Sequence, residues 1–451
     1  MEGRRNMKGK KSLLLSCFFW GSGQFFICKQ KIKGLIFFAM QLLFIGIELY
    51  SGFWIECGQG LIPNFTIRLH GGFFTKGIWG LITLGKKVGG KYGDHSSMLL
   101  INGVIASILI AIFILIYVWN LKDAYNTGKN IDNTKTYITS KEFFKNLYST
   151  RFPYIILTPI AIVFIFVVIM PILFSILTAF LNYNRDHLPP GNLLSWVGFE
   201  NFKKLFTVPI WSKTFFKVLI WNIIWTFVST FSSYFLGVFQ ALILNNKSVK
   251  CKKVFRTILI LPWAIPPIIS LMVFRNLLNG QFGPVNQILI NMGIISEKIP
   301  FLSDPILAKI MVILVNLWVS FPMFMVMILG VLSNVDNSLY DAAAIDGASK
   351  IQVFKKITMP LIFLATTPNL IMSLAGNFNA FGAIYFLTQG GPLNSELQFA
   401  GDTDILISWI YKLTLNQQMY NMAAVMSVLI FILIGGFSFW KFKNTVTFKE
   451  L

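Results

Sequence analysis

Charge is what this sequence has least of. Only 13% of its 451 residues are Asp, Glu, Lys or Arg, about half the share that covers the surface of a soluble domain. That shortage excludes a soluble enzyme, and 55% hydrophobic residues exclude a disordered chain. Cysteine is scarce as well. Cys17, Cys28, Cys57 and Cys251 show no CxxC and no paired spacing, which excludes a disulfide framework or a zinc site. The three histidines, His70, His95 and His187, are too dispersed for a metal centre or a proton relay. Acidic residues number 18 against 39 Lys and Arg, a net charge of +21. In an apolar chain such an excess sets membrane topology, so no nucleic-acid partner is expected.

What the chain does have is apolar sequence in long blocks, with a mean hydropathy of +0.66. A membrane-spanning helix needs about 20 mostly apolar residues. Eight stretches qualify: 34–55, 98–119, 153–180, 218–245, 257–274, 310–332, 361–386 and 420–440. The fold class expected is therefore all-α, a polytopic membrane protein of about eight transmembrane helices. Pro159, Pro171, Pro262, Pro266, Pro267 and Pro322 interrupt these stretches, which spanning helices tolerate when neighbours satisfy the freed backbone. With the N-terminus inside, segments 1–33, 120–152, 246–256, 333–360 and 441–451 are cytoplasmic and hold 25 of the 39 Lys and Arg. Both termini are thereby expected in the cytoplasm.

Three features are read conservatively. Residues 12–28 follow a basic start and resemble a signal peptide, with Leu14-Leu15-Ser16-Cys17 near a lipoprotein cleavage pattern. Gly21-Ser22-Gly23 breaks the run and no A-x-A site follows, so a re-entrant or interfacial hairpin is expected. Gly80 to Lys87 fits most of a phosphate-loop pattern, but Lys87 stands where the magnesium-holding Ser or Thr belongs. Glu48 is the one acidic residue well inside a span, about two turns from its end, where a carboxylate can reach water.

The most informative segment runs from Asp341 to Pro360. Asn337 to Ile345 reads as a short helix with a small-residue face at Ala342, Ala343 and Ala344. Gly347 permits a turn that a Cβ would hinder. Ile351, Phe354 and Ile357 recur every three residues and suit one apolar face at the membrane surface. Pro360 suits the first turn of the next helix.

This arrangement resembles the EAA loop of ABC importer permeases, E-A-A-x3-G-x9-I-x-L-P. Ala342, Ala343, Gly347, Ile357 and Pro360 match, with Asp341 for Glu and Met359 for Leu. Ile260-Leu-Pro-Trp263-Ala-Ile-Pro266-Pro267, Phe301-Leu-Ser-Asp304-Pro305, Asn316-Leu-Trp318, Asn377-Phe-Asn379-Ala-Phe381 and Gly390-Gly391-Pro392 are similar to the MalF-type subunits of maltose and malto-oligosaccharide importers. The similarity covers about residues 150–441.

The resemblance implies a type I ABC importer permease core. Residues 1–33 form a basic N-terminus with the hairpin, and 34–152 hold two accessory helices and a linker. A six-helix core spans 153–441, with the type-1 transmembrane domain at about 214–441 and a coupling loop at 333–360. A tail follows at 442–451. Asp341, Ala342, Ala343, Asp346, Gly347, Ile357 and Pro360 are then expected to couple to an ATPase. The implied partners are a second, MalG-type permease, an ABC ATPase dimer and an extracellular solute-binding lipoprotein. This chain itself is expected to hold no cofactor, ATP and Mg being bound by the ATPase. The segment 181–217 is too short for the folded insert of the Gram-negative maltose subunit, which suggests a Gram-positive-type relative.

A sugar pathway needs aromatic faces and uncharged amides or hydroxyls. Trp263, Asn316, Ser320, Ser373 and Asn377 supply them, and by resemblance the maltose contacts fall at these positions and at Pro267, Val319, Gly376 and Ala380. Trp263 replaces Tyr, Ser320 Gly, Pro267 Ser, Gly376 Phe and Ala380 Asn, so a related but different glycan fits the pattern. An interhelical hydrogen bond is the competing role for each polar side chain. No Lys, Arg, Asp or Glu accompanies the spans around Trp263, Asn316 and Asn377, which points to a neutral oligosaccharide, maltodextrin first and galactose-containing oligomers next. An ion-coupled secondary transporter would need acidic groups inside the bundle, where Glu48 stands alone. A membrane-embedded enzyme such as a glycosyltransferase would need a catalytic cluster that the sequence does not offer.

Charge bias makes one direct prediction. A cysteine introduced at Ser349 is labelled only from the cytoplasmic side, and one at Ser395 only from outside. Reversed labelling at either position would overturn the orientation.

Overall fold

Inside hydrocarbon a backbone has to satisfy its own hydrogen bonds, which leaves the helix as the workable element for this chain. The computed structural model describes residues 7–50, 53–57, 67–86, 94–137, 142, 145, 148–149, 152–246 and 248–443. Among these, one two-stranded ribbon is the exception to helix and loop. The chain divides into two compact units, one of residues 1–199 with 427–451 and one of residues 200–426.

The first unit begins with α1 (Met7–Phe18), a wide turn at Gly23–Ile27 and α2 (Lys31–Tyr50). Strands β1 (Phe53–Cys57) and β2 (Ile67–Gly71) pair antiparallel, and α3 (Phe73–Thr83), α4 (Ser96–Thr134) and α5 (Phe152–Thr178) follow. The 12–28 segment folds back on itself, with Ser12 Oγ 3.5 Å from Cys28 Sγ and the Ser16 hydroxyl donating to Gln24 at 3.0 Å. At the turn, Gly21 has φ +78° and a Cβ there would lie 2.0 Å from the Gly34 carbonyl oxygen, so only glycine fits. α1 packs along the polar end of α4. Lys8 N donates to Asp132 at 2.8 Å, Asn120 Nδ2 to the Ser16 carbonyl at 3.1 Å, and Gln24 Nε2 to the Asn120 carbonyl at 2.9 Å. Lys33, almost wholly buried, is paired with Asp123.

Glu48 has a structural task. Its carboxylate accepts from Gly72 N and Phe74 N, each at 2.8 Å, and from the Thr75 hydroxyl, and so caps the N-terminus of α3. The phosphate-loop look-alike is dissolved in the same region, since Gly80 to Thr83 form the last turn of α3; Lys87 lies outside the described residues.

The second unit contains α6 (Glu200–Thr207), α7 (Pro209–Asn245), α8 (Lys252–Ala264), α9 (Pro267–Leu277), α10 (Pro284–Asn291) and α11 (Pro305–Ser333). After these come α12 (Asn337–Ile345), α13 (Lys350–Phe378), α14 (Phe381–Thr388) and α15 (Leu406–Tyr411), and α16 (Tyr420–Lys443) begins in this unit. α7 is patterned inside out. Its buried stripe includes Asn222, Thr226, Ser229, Thr230 and Ser233, while Ile220, Phe227 and Phe239 face outward. Small polar residues let membrane helices approach closely. Tyr234 and Val238 on α7, Phe321, Phe324 and Ile328 on α11, and Ile362 and Leu370 on α13 close one core.

About eight spans are expected, and among the described residues six helices are long and apolar enough to cross a membrane, or seven if the bent pair α8–α9 counts as one. The first span ends at Tyr50, and α16, Tyr420–Lys443, covers the expected 420–440 span. α8 and α9 meet at 89°, because Ile265 and Pro266 take extended backbone before Pro267 starts the next helix. The expected 361–386 span is two helices. α7 side chains end the first of them: Trp225 Nε1 takes the Asn377 carbonyl at 2.9 Å and Asn222 Nδ2 the Phe378 carbonyl at 3.1 Å.

The loop between α14 and α15 is held from within by Asp404, which is fully buried. Lys412 pairs with it, Gly401 N donates to it at 2.7 Å and the Ser408 hydroxyl at 2.8 Å. Burial pushes its carboxyl above the usual carboxylate range, against the pull of Lys412, Gly401 and Ser408. Gly390, φ +75°, gives it room, since a Cβ there would lie 1.8 Å from its Oδ1. Removing one partner of a buried ion pair costs about 3–5 kcal/mol. Asp404→Ala is therefore expected to lower the thermal unfolding midpoint sharply, and Asp404→Asn to lower it less, because its one carbonyl oxygen can still accept from Gly401 N. Equal midpoints for wild type and Asp404→Ala would show that the loop is held by other means.

Candidate functional site: a capped surface turn and a polar bundle interior

The α12–α13 connection is specified residue by residue. The Asp336 carboxylate accepts from Ser338 N at 2.9 Å and starts α12. The Ser338 backbone and hydroxyl hold that carboxyl below its ordinary range, so the cap is intact at neutral pH. At the other end Gly347 N donates to the Ala344 carbonyl at 3.2 Å and Ala348 N to the Ala343 carbonyl at 2.9 Å. With Gly347 at φ +72° this is a Schellman turn. Two residues later Ser349 and Gln352 form a capping box, at 2.7 and 3.3 Å, and α13 begins.

Exposure sorts the seven coupling candidates. Asp341, Ala342, Asp346 and Gly347 lie open on the surface, Ala343 is buried against its own subunit, Ile357 is half-buried and Pro360 is exposed. Ile345, 86% exposed, adds an apolar point that the sequence reading did not single out. The Tyr340 hydroxyl meets the Thr358 hydroxyl at 3.4 Å and ties α12 to α13. Of the expected apolar face, Ile351 is largely exposed and Phe354 and Ile357 are half-buried, and Phe354–Thr358 form a wide turn. Pro360 explains the turn, having no N–H for the regular ladder. Pro360 therefore lies within the continuous helix α13, in the turn after the widening.

The sugar candidates are spread over the same unit. Trp263 is more than half exposed beside the 89° bend. Asn316 is buried on α11, and the Ser320 hydroxyl points to its Oδ1 at 3.5 Å. Its Nδ2 is buried without a hydrogen-bond partner. Asn377 behaves differently. Its Nδ2 donates to the Thr230 hydroxyl at 2.8 Å, so this amide makes the interhelical bond weighed against ligand contact. Ser373 is half-buried on α13. The structure thus joins Asn316 with Ser320 and sends Asn377 to α7. Ser229 and Ser233 on α7 and Ser270 on α9 also have buried hydroxyls without partners. Their signal in the sequence is the small-polar stripe, which by itself does not separate packing from binding.

The chain is thus a many-helix membrane protein with an exposed turn, capped on both sides, between the short α12 and the long α13. Residues 233–440 match the family described as binding-protein-dependent transport system inner membrane component. The chain is 38% identical over 445 residues to the galactooligosaccharides transport system permease protein GanP of Bacillus subtilis (strain 168), covering 98% of this chain and all of that one. It is 35% identical to the maltodextrin transport system permease protein MalC of Streptococcus pneumoniae serotype 4 (strain ATCC BAA-334 / TIGR4), covering 95% and 94%. Among solved structures it shares the fold of a bacterial ABC transporter involved in the import of the acidic polysaccharide alginate. There the TM-score is 0.53 at 22% identity, over 64% of this chain and 93% of that one. The chain belongs to this family. More particularly, it is a MalF-type sugar ABC permease, a transport component and not an enzyme.

The capped turn yields a test. A Cβ at Gly347 meets no atom within 4 Å, so a substitution there strains the backbone without a clash. The left-handed conformation costs about 1–2 kcal/mol for most L-residues, and Asp tolerates it better than most. Gly347→Asp is expected to reach the membrane at wild-type level while abolishing transport. Normal uptake by a normally assembled Gly347→Asp protein would remove the turn from the mechanism.

Proposed function

We propose that this chain is the permease subunit of an ATP-driven importer in a Gram-positive-type cell membrane, with both termini in the cytoplasm. The observation that carries the reading is the α12 turn, which offers Asp341, Ala342, Asp346 and Gly347 to a partner on a rigid, capped frame. An ABC ATPase dimer docks there and holds the ATP and Mg, so this chain needs no cofactor. A MalG-type permease completes the pathway, and an extracellular lipoprotein delivers the solute. Asp341, one methylene shorter than the family's Glu, still lies exposed where such a partner would approach.

The solute is a neutral oligosaccharide. Asn316, Ser320, Ser373 and the exposed ring of Trp263 offer hydrogen bonds and a stacking face without charge. An anionic solute at that depth would go unpaired, at a cost of several kcal/mol or more. The relative named for galactooligosaccharides is more similar than those named for maltodextrin, 38% against 35–36% identity, which supports galactose-containing oligomers as the first reading. Maltodextrin is the second, supported by several relatives so named over more than four-fifths of the chain.

Labelled-glycan uptake by a deletion strain complemented with this chain separates the two. Galacto-oligosaccharide uptake is expected, and transport of an anionic sugar with no response to either neutral class would refute the pocket. Within the pocket, Asn316→Ala is expected to raise the half-saturating concentration severalfold. Asn377→Ala and Thr230→Val, which break one shared hydrogen bond, are expected to resemble each other. A sugar-dependent defect in Asn377→Ala that Thr230→Val lacks would return Asn377 to ligand contact.

A further inference from the structure

We propose that the N-terminal hairpin holds one anionic phospholipid, its acyl chain in an apolar pocket and its headgroup against Lys11 and Lys31. The pocket is about 390 Å³ and is walled by Leu15, Phe19, Trp20, Phe25, Leu35 and Phe38. Ser22 is the one hydroxyl in the wall, and its oxygen has no hydrogen-bond partner. A polar ligand would find almost nothing to bond with there, whereas a hydrocarbon chain gives up nothing by entering.

The depth of the pocket follows from α4. That helix is apolar from Met98 to Trp119 and turns polar at Asn120. The Trp20 ring lies 5.3 Å from Tyr117 and the Phe37 ring 5.4 Å from Trp119, just on the apolar side of this change. Gly21 N bonds to Asn120 at 3.0 Å and Lys33 pairs with Asp123 on the polar side. The pocket therefore sits where hydrocarbon gives way to headgroups.

Charge at its rim selects the lipid. Lys11 is one turn before Leu15 on α1, and Lys31 is one turn before Leu35 on α2, so each pocket wall continues into a lysine on the same helix face. Both lysines are exposed. The acidic groups of this region are engaged elsewhere: Asp123 with Lys33 and Gln24, and Asp132 with the backbone of Lys8. Two cationic groups above a carbon-lined pocket match a phosphate head above an acyl tail, and a basic residue near an anionic surface contributes about a fivefold preference.

The test uses the full-length chain with the subunits it carries, equilibrated with equal amounts of phosphatidylglycerol and phosphatidylcholine and read by native mass spectrometry. Wild type is expected to retain phosphatidylglycerol over phosphatidylcholine by at least about fivefold. Lys11→Gln/Lys31→Gln is expected to bring that ratio near one. Leu35→Trp, which fills the pocket, is expected to lower the retained lipid of both kinds. The intact mass of each variant complex in the same spectrum reports assembly. Equal retention of the two lipids by wild type, an unchanged ratio in the double-lysine variant, or undiminished lipid in Leu35→Trp would each overturn the proposal.

Discussion

A chain buried in hydrocarbon has no water to satisfy a stray N–H or C=O, and that constraint governs where this permease can be anything other than a straight helix. Three departures are settled by an identifiable donor or acceptor. The end of α13 is taken up by Trp225 and Asn222, the start of α3 by Glu48, and the α14–α15 loop by Asp404. Irregular backbone also marks the 89° bend beside Trp263 and the capped turn of Gly347.

The same accounting sharpens the view of the interior. Polar side chains along α7 serve mainly to close helix contacts, as in the bond from Asn377 to Thr230 and that between Tyr234 and Thr366 at 2.9 Å. Against that background an amide with no partner carries more information than one that has found a neighbour. Asn316 Nδ2 is such a group, and it shares its unit with the buried hydroxyls of Ser229, Ser233 and Ser270. Residue type alone ranks Asn316 and Asn377 together; the distances separate them.

Local features were legible in the sequence and distant ones were not. α12 spans Asn337–Ile345, as its residues suggested, and Gly347 adopts the turn that glycine allows, because caps and turns are written in neighbouring residues. Pro266 and Pro267 likewise announced a break, though not its angle of 89°. The wide turn at Phe354–Thr358 was not legible, because it changes the period without changing composition. Asp404 went unnoticed although its Gly390-Gly391-Pro392 cradle was recognised as a motif: the glycine signals close approach but not which side chain approaches. Glu48 looked like a carboxylate near water because its partners, Gly72 to Thr75, lie more than 20 residues away.

The pairing of α1 with α4 also imposes an order of events on synthesis. Lys33 finds its counter-ion in Asp123, and Gln24 and the Ser16 carbonyl find hydrogen-bond partners in Asn120, some 90 to 104 residues further along the chain. At about 5–20 residues per second, the first hairpin leaves the ribosome on the order of 5–20 s before those partners exist. Through that interval its amide and ammonium groups are solvated by water and headgroups, since hydrocarbon would leave them bare. The hairpin thus settles only once α4 has been made, and its docking reports that this helix has arrived.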